Sequence, residues 1–359
     1  CDFYSTTRSE LKSQYIRALC RELTERKEYL KGEAVETIYF GGGTPSQLSE
    51  DDFKEVFKTI EQVYGMREAT EITLEANPDD LTEEYTQMLR TLPFNRISMG
   101  IQTFDDATLR LLNRRHNAAQ AIEAVQRCRQ AGFQNISIDL IYGLPGETEQ
   151  RWAQDLQQAV SLDVEHISAY HLIYEEGTPL YKMLQQHSVS QVDEDSSLNF
   201  FSTLIDTLSA AGYEHYEISN FCKPGMYSRH NTSYWQGIPY LGCGPSAHSF
   251  DGDSREWNVA SLNQYLSSIE QGQRQHETEQ LDTQTRYNEY IITGLRTMWG
   301  ISTEELKKKF GDRLSKYCLK QAKPYLENGK LELHNDRLKL TREGIFISDG
   351  IMSDLLEIE

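Results

Sequence analysis

Gly41-Gly42-Gly43-Thr44-Pro45 directly follows a short apolar run at 35–40. Glycines in such a turn have a physical use: without Cβ atoms, their backbone amides can approach a polar ligand that side chains would hold away. Gly42, Gly43 and Thr44 are therefore candidate binding positions. Glu75, Gln102, Arg114 and Asp139 stand on or just beyond later apolar runs. They supply acceptors and donors suited to ribose hydroxyls, an amine and a carboxylate. Any one of them alone reads as an ordinary solvated or paired group. Gathered on one face, the seven read as a site for one ligand.

That gathering depends on the elements between them. Leu11, Tyr15, Leu19 and Leu23 repeat at helical spacing before the apolar run at 35–40, which reads as a strand. The pattern then predicts helices over 51–64, 82–92, 105–112, 118–131 and 149–162. Between them it predicts strands over 71–76, 96–101, 136–142 and 166–173. Such alternation argues for parallel strands wrapped by helices, the α/β class, and chemistry in these folds collects at the carboxyl ends of the strands. The glycine turn, Glu75-Ala76-Asn77-Pro78, Gly100-Ile101-Gln102 and Gly143-Leu144-Pro145-Gly146 occupy four such ends, with Asp139 on the fourth of these strands. Past Tyr174 the pattern loosens to a helix over 196–211 and a stretch rich in Gly, Cys, Tyr and Trp over 213–250. Helices over 284–298, 303–310 and 313–327 then precede short strands over 330–333 and 337–340, the outline of a winged-helix-like tail.

Composition limits the partners. The 359 residues carry 36 Lys and Arg against 55 Asp and Glu, a net charge of -19, so long-range electrostatics oppose phosphate backbones and anionic lipid. Nucleic acid is not an expected partner, and the lysines of the tail (Lys307, Lys308, Lys309) are interspersed with Glu304, Glu305 and Asp312 as on a solvated helix face. No run approaches the ~20 apolar residues of a membrane helix. A cytoplasmic location is expected, with membrane contact only peripheral and through a partner. Six cysteines at wide, irregular intervals read as reduced thiols rather than a disulfide framework.

Cys1-Asp2-Phe3-Tyr4-Ser5, Gly41 to Pro45, Leu74-Glu75-Ala76-Asn77-Pro78, Gly100-Ile101-Gln102-Thr103-Phe104 and Ile138-Asp139-Leu140-Ile141-Tyr142-Gly143-Leu144-Pro145 follow one another in order and at sensible spacing. As a set they resemble the successive blocks of the coproporphyrinogen III oxidase-like radical S-adenosylmethionine family. The resemblance implies a partial (β/α)6 barrel with a small C-terminal α+β winged-helix-like domain. It divides the chain into a barrel over 1–200, an elaboration over 201–270 and the terminal domain over 271–359. It also implies a 4Fe-4S cluster held by three cysteines in a C-x-x-x-C-x-x-C run, of which Cys1 matches the third. The first strand and the other two cysteines are expected upstream of residue 1, so the chain as given is expected to lack a complete ligand set. Gly42, Gly43, Thr44, Glu75, Gln102, Arg114 and Asp139 would bind S-adenosylmethionine.

His230-Asn231-Thr232-Ser233-Tyr234-Trp235 matches the H-N-x-x-Y-W signature of the family's heme-chaperone branch. An imidazole can ligate heme iron, and the rings of Tyr234 and Trp235 suit a flat porphyrin. The expected function is a chaperone that binds heme and hands it to an acceptor protein. His248 is a second, weaker candidate ligand, and Cys222 and Cys243 are left unassigned. The alternative is an oxygen-independent coproporphyrinogen III oxidase, whose multiply carboxylated substrate calls for a basic site that the net charge does not support.

Overall fold

Alternation of polar and apolar residues makes the strands of this chain two-faced, because successive side chains point to opposite sides of a sheet. The computed structural model describes residues 9–358. Its parallel strands are β1 (Thr37–Phe40), β2 (Glu71–Ala76), β3 (Arg96–Gln102), β4 (Ile136–Tyr142) and β5 (His166–His171). They neighbour one another in chain order, each parallel to the next. Between them run α2 (Glu50–Val63), α3 (Glu83–Arg90), α4 (Asp106–Leu111), α5 (Ala118–Gln130) and α6 (Glu149–Ser161), after α1 (Lys12–Glu25). Sequential strand order with helical crossovers is single winding, which right-handed twist curls into a barrel wall rather than a sheet with a switch point. The expected α/β partial barrel is what forms. Two further strands close the sheet order, β7 (Asn220–Cys222) antiparallel beside β5 and β6 (Glu214–Glu217) beyond it.

The helices begin where side chains can satisfy the first free amides. Ser49 with Asp52 and Asn117 with Gln120 form reciprocal capping boxes, and Thr82, Asp105 and Thr148 cap α3, α4 and α6. These helices cover the apolar face of the sheet. Phe40 of β1 packs with Phe53 and Phe57 of α2 and with Phe94 at ring separations of 5.2–5.6 Å. Tyr142 of β4 packs on Trp152 of α6 at 5.5 Å.

By contact the chain divides into two units: the first takes residues up to Cys20 with Ala34–His215 and Ser219–Ser228, the second Arg21–Glu33, Tyr216–Ile218 and the chain from Arg229. The second unit contains a three-stranded antiparallel sheet, His248–Phe250, Ser254–Asn258 and His276–Gln280. The sequence pattern gives no warning of that last strand, since His-Glu-Thr-Glu-Gln is polar throughout and every residue in it is exposed. Its C-terminal part follows the expected plan, helices and then the hairpin Leu331–His334 and Arg337–Leu340. Tyr287, Ile291, Leu306, Leu314, Leu338 and Ile351 are among its core residues. The two helices expected over 303–310 and 313–327 run on as Thr303–Glu327, broken at Gly311 with φ 80° and ψ 176°, a backbone state open to glycine. Among the described residues no helix is long and apolar enough to cross a membrane.

Phe53 is fully buried between Phe40 and Phe94. Phe53→Ala leaves a ring-sized void, and urea unfolding should show a loss of about 3–5 kcal/mol.

Candidate functional site

The face of the sheet that no helix covers is polar. Cross-strand register aligns Tyr39 with Thr73 and Arg96, Glu75 with Ser98 and Ser137, and Gly100 with Asp139 and Ser168. Thr73, Arg96, Ser98, Ser137, His166, Ser168 and Asn220 are all buried. Within this set Ser168 donates to Asn220 at 2.9 Å, and Ser137 pairs with His166 Nδ1 at 2.8 Å. A barrel interior built this way is a polar chamber. Its residues outside the expected set were signalled in the sequence by the same period of two that defines the strands.

Glu75 links β2 to the glycine turn. Its Oε1 accepts from the Tyr39 hydroxyl at 2.6 Å and its Oε2 from the Gly42 amide at 3.1 Å. A Cβ at Gly41 would come within 2.9 Å of the Glu75 carboxylate and 2.5 Å of the Tyr39 ring, so glycine is required there to admit both. Gly42 needs its φ of 92°. Gly43 has neither constraint, since a Cβ there meets nothing within 4 Å. Thr44 caps the short turn Pro45–Gln47 through its backbone position and makes no side-chain cap bond.

Gly100 is the hub of the other half. Arg114 donates to the Gly100 carbonyl at 2.8 Å and to Asn77 at 3.0 Å. Gln102 has φ 74°, and the β3–β4 register shifts between Gly100 and Gln102, a bulge that re-aims its side chain. A Cβ on Gly100 would lie 2.8 Å from Gln102 Nε2 and 3.3 Å from the Arg114 guanidinium. The structure thus brings Glu75, Gln102, Arg114 and Asp139 to neighbouring strand ends, with Gly42 tied to Glu75.

Asp139 is half-buried by accessibility, yet its carboxyl lies among protein atoms and is pushed up to about 7. Burial is the main cause and repulsion from Glu75 adds to it, against Arg96, a Ser168 hydrogen bond and Arg114. At the end of β4, Glu147 accepts from the amides of Gly143 at 2.6 Å and Leu144 at 3.2 Å, and burial pushes it also up to about 7.

In the second unit, Arg229–Trp235 is a seven-residue helix. His230 and Tyr234, four apart, share a face: His230 Nε2 lies 2.8 Å from the Tyr234 hydroxyl, and the rings meet edge to face. Tyr234 in turn packs edge to face on Tyr240 at 4.6 Å. Trp235, expected alongside them, turns to Tyr216 at 5.9 Å. Tyr234 is 41% exposed, which leaves its ring surface open beside the imidazole. His248 lies apart in its own environment, stacked on Trp257 at 5.7 Å.

The Gly242–Gly244 turn that precedes His248 is held by a buried polar network. Glu22, fully buried, accepts from the Gly244 amide at 2.9 Å, from Asn258 at 2.7 Å and from the Tyr265 hydroxyl at 2.7 Å. Arg26 donates to the Gly242 carbonyl at 2.8 Å, to Ser249 and to Glu256. Cys243 is raised well above the usual thiol range and Cys222 to about 12, both chiefly by burial, so neither is held as a thiolate. Cys1 lies outside the described residues. Among the described ones, no group of three or more His, Cys, Asp or Glu is placed to hold a metal ion.

Comparison with known proteins decides the family. The Radical SAM superfamily model matches residues 1–159 and the HemN C-terminal domain model residues 281–347. Heme chaperone HemW of Bacillus subtilis (strain 168) is 33% identical over 99% of this chain and 95% of its own length. The chain belongs to the HemW branch of the radical SAM superfamily. Radical S-adenosyl methionine domain-containing protein 1, mitochondrial, of Mus musculus is 31% identical over 90% of this chain and 76% of its own. Coproporphyrinogen III oxidase (HemN) from Escherichia coli superposes with a TM-score of 0.84 over 99% of this chain and 86% of that one, at 23% identity, which shows the common fold.

Asp139 is a carboxyl raised from 3.8 to about 7. Its neutral form is favoured in the folded chain, so stability is fully present below the unfolded value and falls as pH rises through the folded one. Asp139→Asn should therefore be more stable than wild type at pH 8. The difference should shrink steadily toward pH 4 in urea titrations.

Proposed function

We propose that this chain is a heme chaperone, binding heme at the Arg229–Trp235 helix and delivering it to an acceptor protein. The observation that carries the reading is His230 beside the exposed ring of Tyr234, which packs in turn on the half-buried Tyr240. An imidazole next to open apolar surface is a donor set that fits a flat, apolar iron macrocycle. His230 would ligate iron and Tyr234 would contribute contact area, while Trp235 anchors the helix on Tyr216.

The barrel is proposed to hold S-adenosylmethionine. The Arg114 Nε is buried without an acceptor, and orphaned donors of this kind are costly unless a ligand satisfies them. Arg114 would take the ligand's carboxylate, Glu75 and Asp139 its amine and ribose hydroxyls, and Gln102 and the Gly42-Gly43-Thr44 turn its remaining polar edges. A 4Fe-4S cluster, with Cys1 among its ligands, belongs to the same reading and supplies an electron when bound. The place of action is proposed to be the cytoplasm.

Hemin titration followed in the Soret band, with a coproporphyrinogen III assay on the same preparation, tests the proposal. Stoichiometric binding that His230→Ala weakens at least tenfold, without turnover, is the expected result. Turnover dependent on S-adenosylmethionine would replace it with the oxidase reading.

A further inference from the structure

The contact between His230 and Tyr234 bears on how such a site would let go of its cargo. Iron coordination uses the lone pair of a neutral imidazole nitrogen. In this chain Nε2 lies 2.8 Å from the Tyr234 hydroxyl. Whichever partner donates, the bond occupies the position that iron would take at Nε2: either the lone pair accepts the phenolic proton, or Nε2 itself carries a proton. The contact is built rather than incidental. Spacing of four residues stacks the two side chains on one face of the helix. The rings meet at 4.9 Å and 81°, and Tyr240 braces Tyr234 from another direction at 4.6 Å and 84°.

From this geometry we infer that Tyr234 is a positioning residue that competes with iron for His230 Nε2. This rests on the heme reading of His230 and deepens it. With no heme bound, the phenol holds the imidazole in one orientation and masks it. As heme arrives, the hydrogen bond breaks and the iron–nitrogen bond forms; where the phenol is the donor it keeps its proton, and where Nε2 is the donor its proton passes through water to Nδ1, giving the other neutral tautomer. On delivery the phenol re-forms its bond and opposes rebinding. No electron changes hands. For a protein that must surrender its cargo, such competition sets affinity below what a free imidazole on the same surface would give.

Replacing the hydroxyl by hydrogen leaves the ring, its packing on Tyr240 and its apolar area in place. Losing one competing hydrogen bond of ordinary net strength should tighten hemin binding about fivefold. The test compares full-length wild type, Tyr234→Phe and His230→Ala by hemin titration, stopped-flow association and the visible spectrum of the ferric complex, with circular dichroism confirming that each is folded. The expected result is tighter and faster binding by Tyr234→Phe with an unchanged spectrum, and loss of that spectrum in His230→Ala. Equal affinity of Tyr234→Phe and wild type would overturn the inference while leaving His230 as ligand. Weaker binding of Tyr234→Phe with an altered spectrum would also overturn it, by making the phenolate itself a ligand. If His230→Ala binds as wild type does, the heme reading of His230 fails instead, and the inference with it.

Discussion

The first unit rests on a period of two. Each strand places apolar residues on the side covered by helices and polar ones on the other, and neither set can move without the other because a one-residue slip would exchange them. Ile72, Leu74, Ile97, Met99, Ile136 and Ile138 are buried on the helix side. That packing fixes the register, and the register aligns Gly100 with Asp139 and Glu75 with Ser98. The polar chamber is thus positioned by hydrophobic packing on the reverse of the sheet. The aromatic cluster of Phe40, Phe53, Phe57 and Phe94 and the polar contact of Tyr39 with Glu75 are two consequences of the same strand geometry.

Within the chamber the electrostatics are unevenly matched. Glu75 has hydrogen-bond donors from Tyr39 and Gly42, whereas Asp139 is crowded by it and buried. Two carboxylates in one chamber therefore differ in character, one met by hydrogen-bond donors and the other, Asp139, near the midpoint of its titration at neutral pH. Arg96 lies beneath them, buried with its Nε lacking an acceptor.

Much of the barrel was legible because its patterns are local. Alternating runs placed β2 and β4 at their observed bounds, and the Gly, Glu, Gln, Arg and Asp residues of the strand ends do come together. The antiparallel strand His276–Gln280 was not legible, because a polar, wholly exposed strand carries no hydrophobic period and is held by backbone pairing to Ser254–Asn258. The helix around His230 was hidden for a related reason: seven residues with no buried member give no helical stripe. The motif therefore signalled chemistry without revealing that His230 and Tyr234 bond to each other, or that Trp235 turns to Tyr216. Gly41 and Gly100 could be recognised as glycines but not as clearances for particular side chains, which requires knowing what stands across the sheet.

The network around Glu22 has a consequence for how the chain matures. Its bonds to Gly244, Asn258 and Tyr265 span 222, 236 and 243 residues, so this part of the second unit has a very non-local interior. Glu22 emerges from synthesis more than 220 residues ahead of these partners and must wait for them. Loop closure over such distances is slow, and the turn at Gly242 to Gly244 cannot be locked before that closure occurs. Nor does a cut in the sequence yield this unit whole. A fragment starting after Glu33 would retain Asn258, Tyr265 and the Gly244 amide but not the acceptor that satisfies them, at about 1–3 kcal/mol for each donor left buried and unpaired. The second unit is a domain in space whose boundary runs through the beginning of the chain.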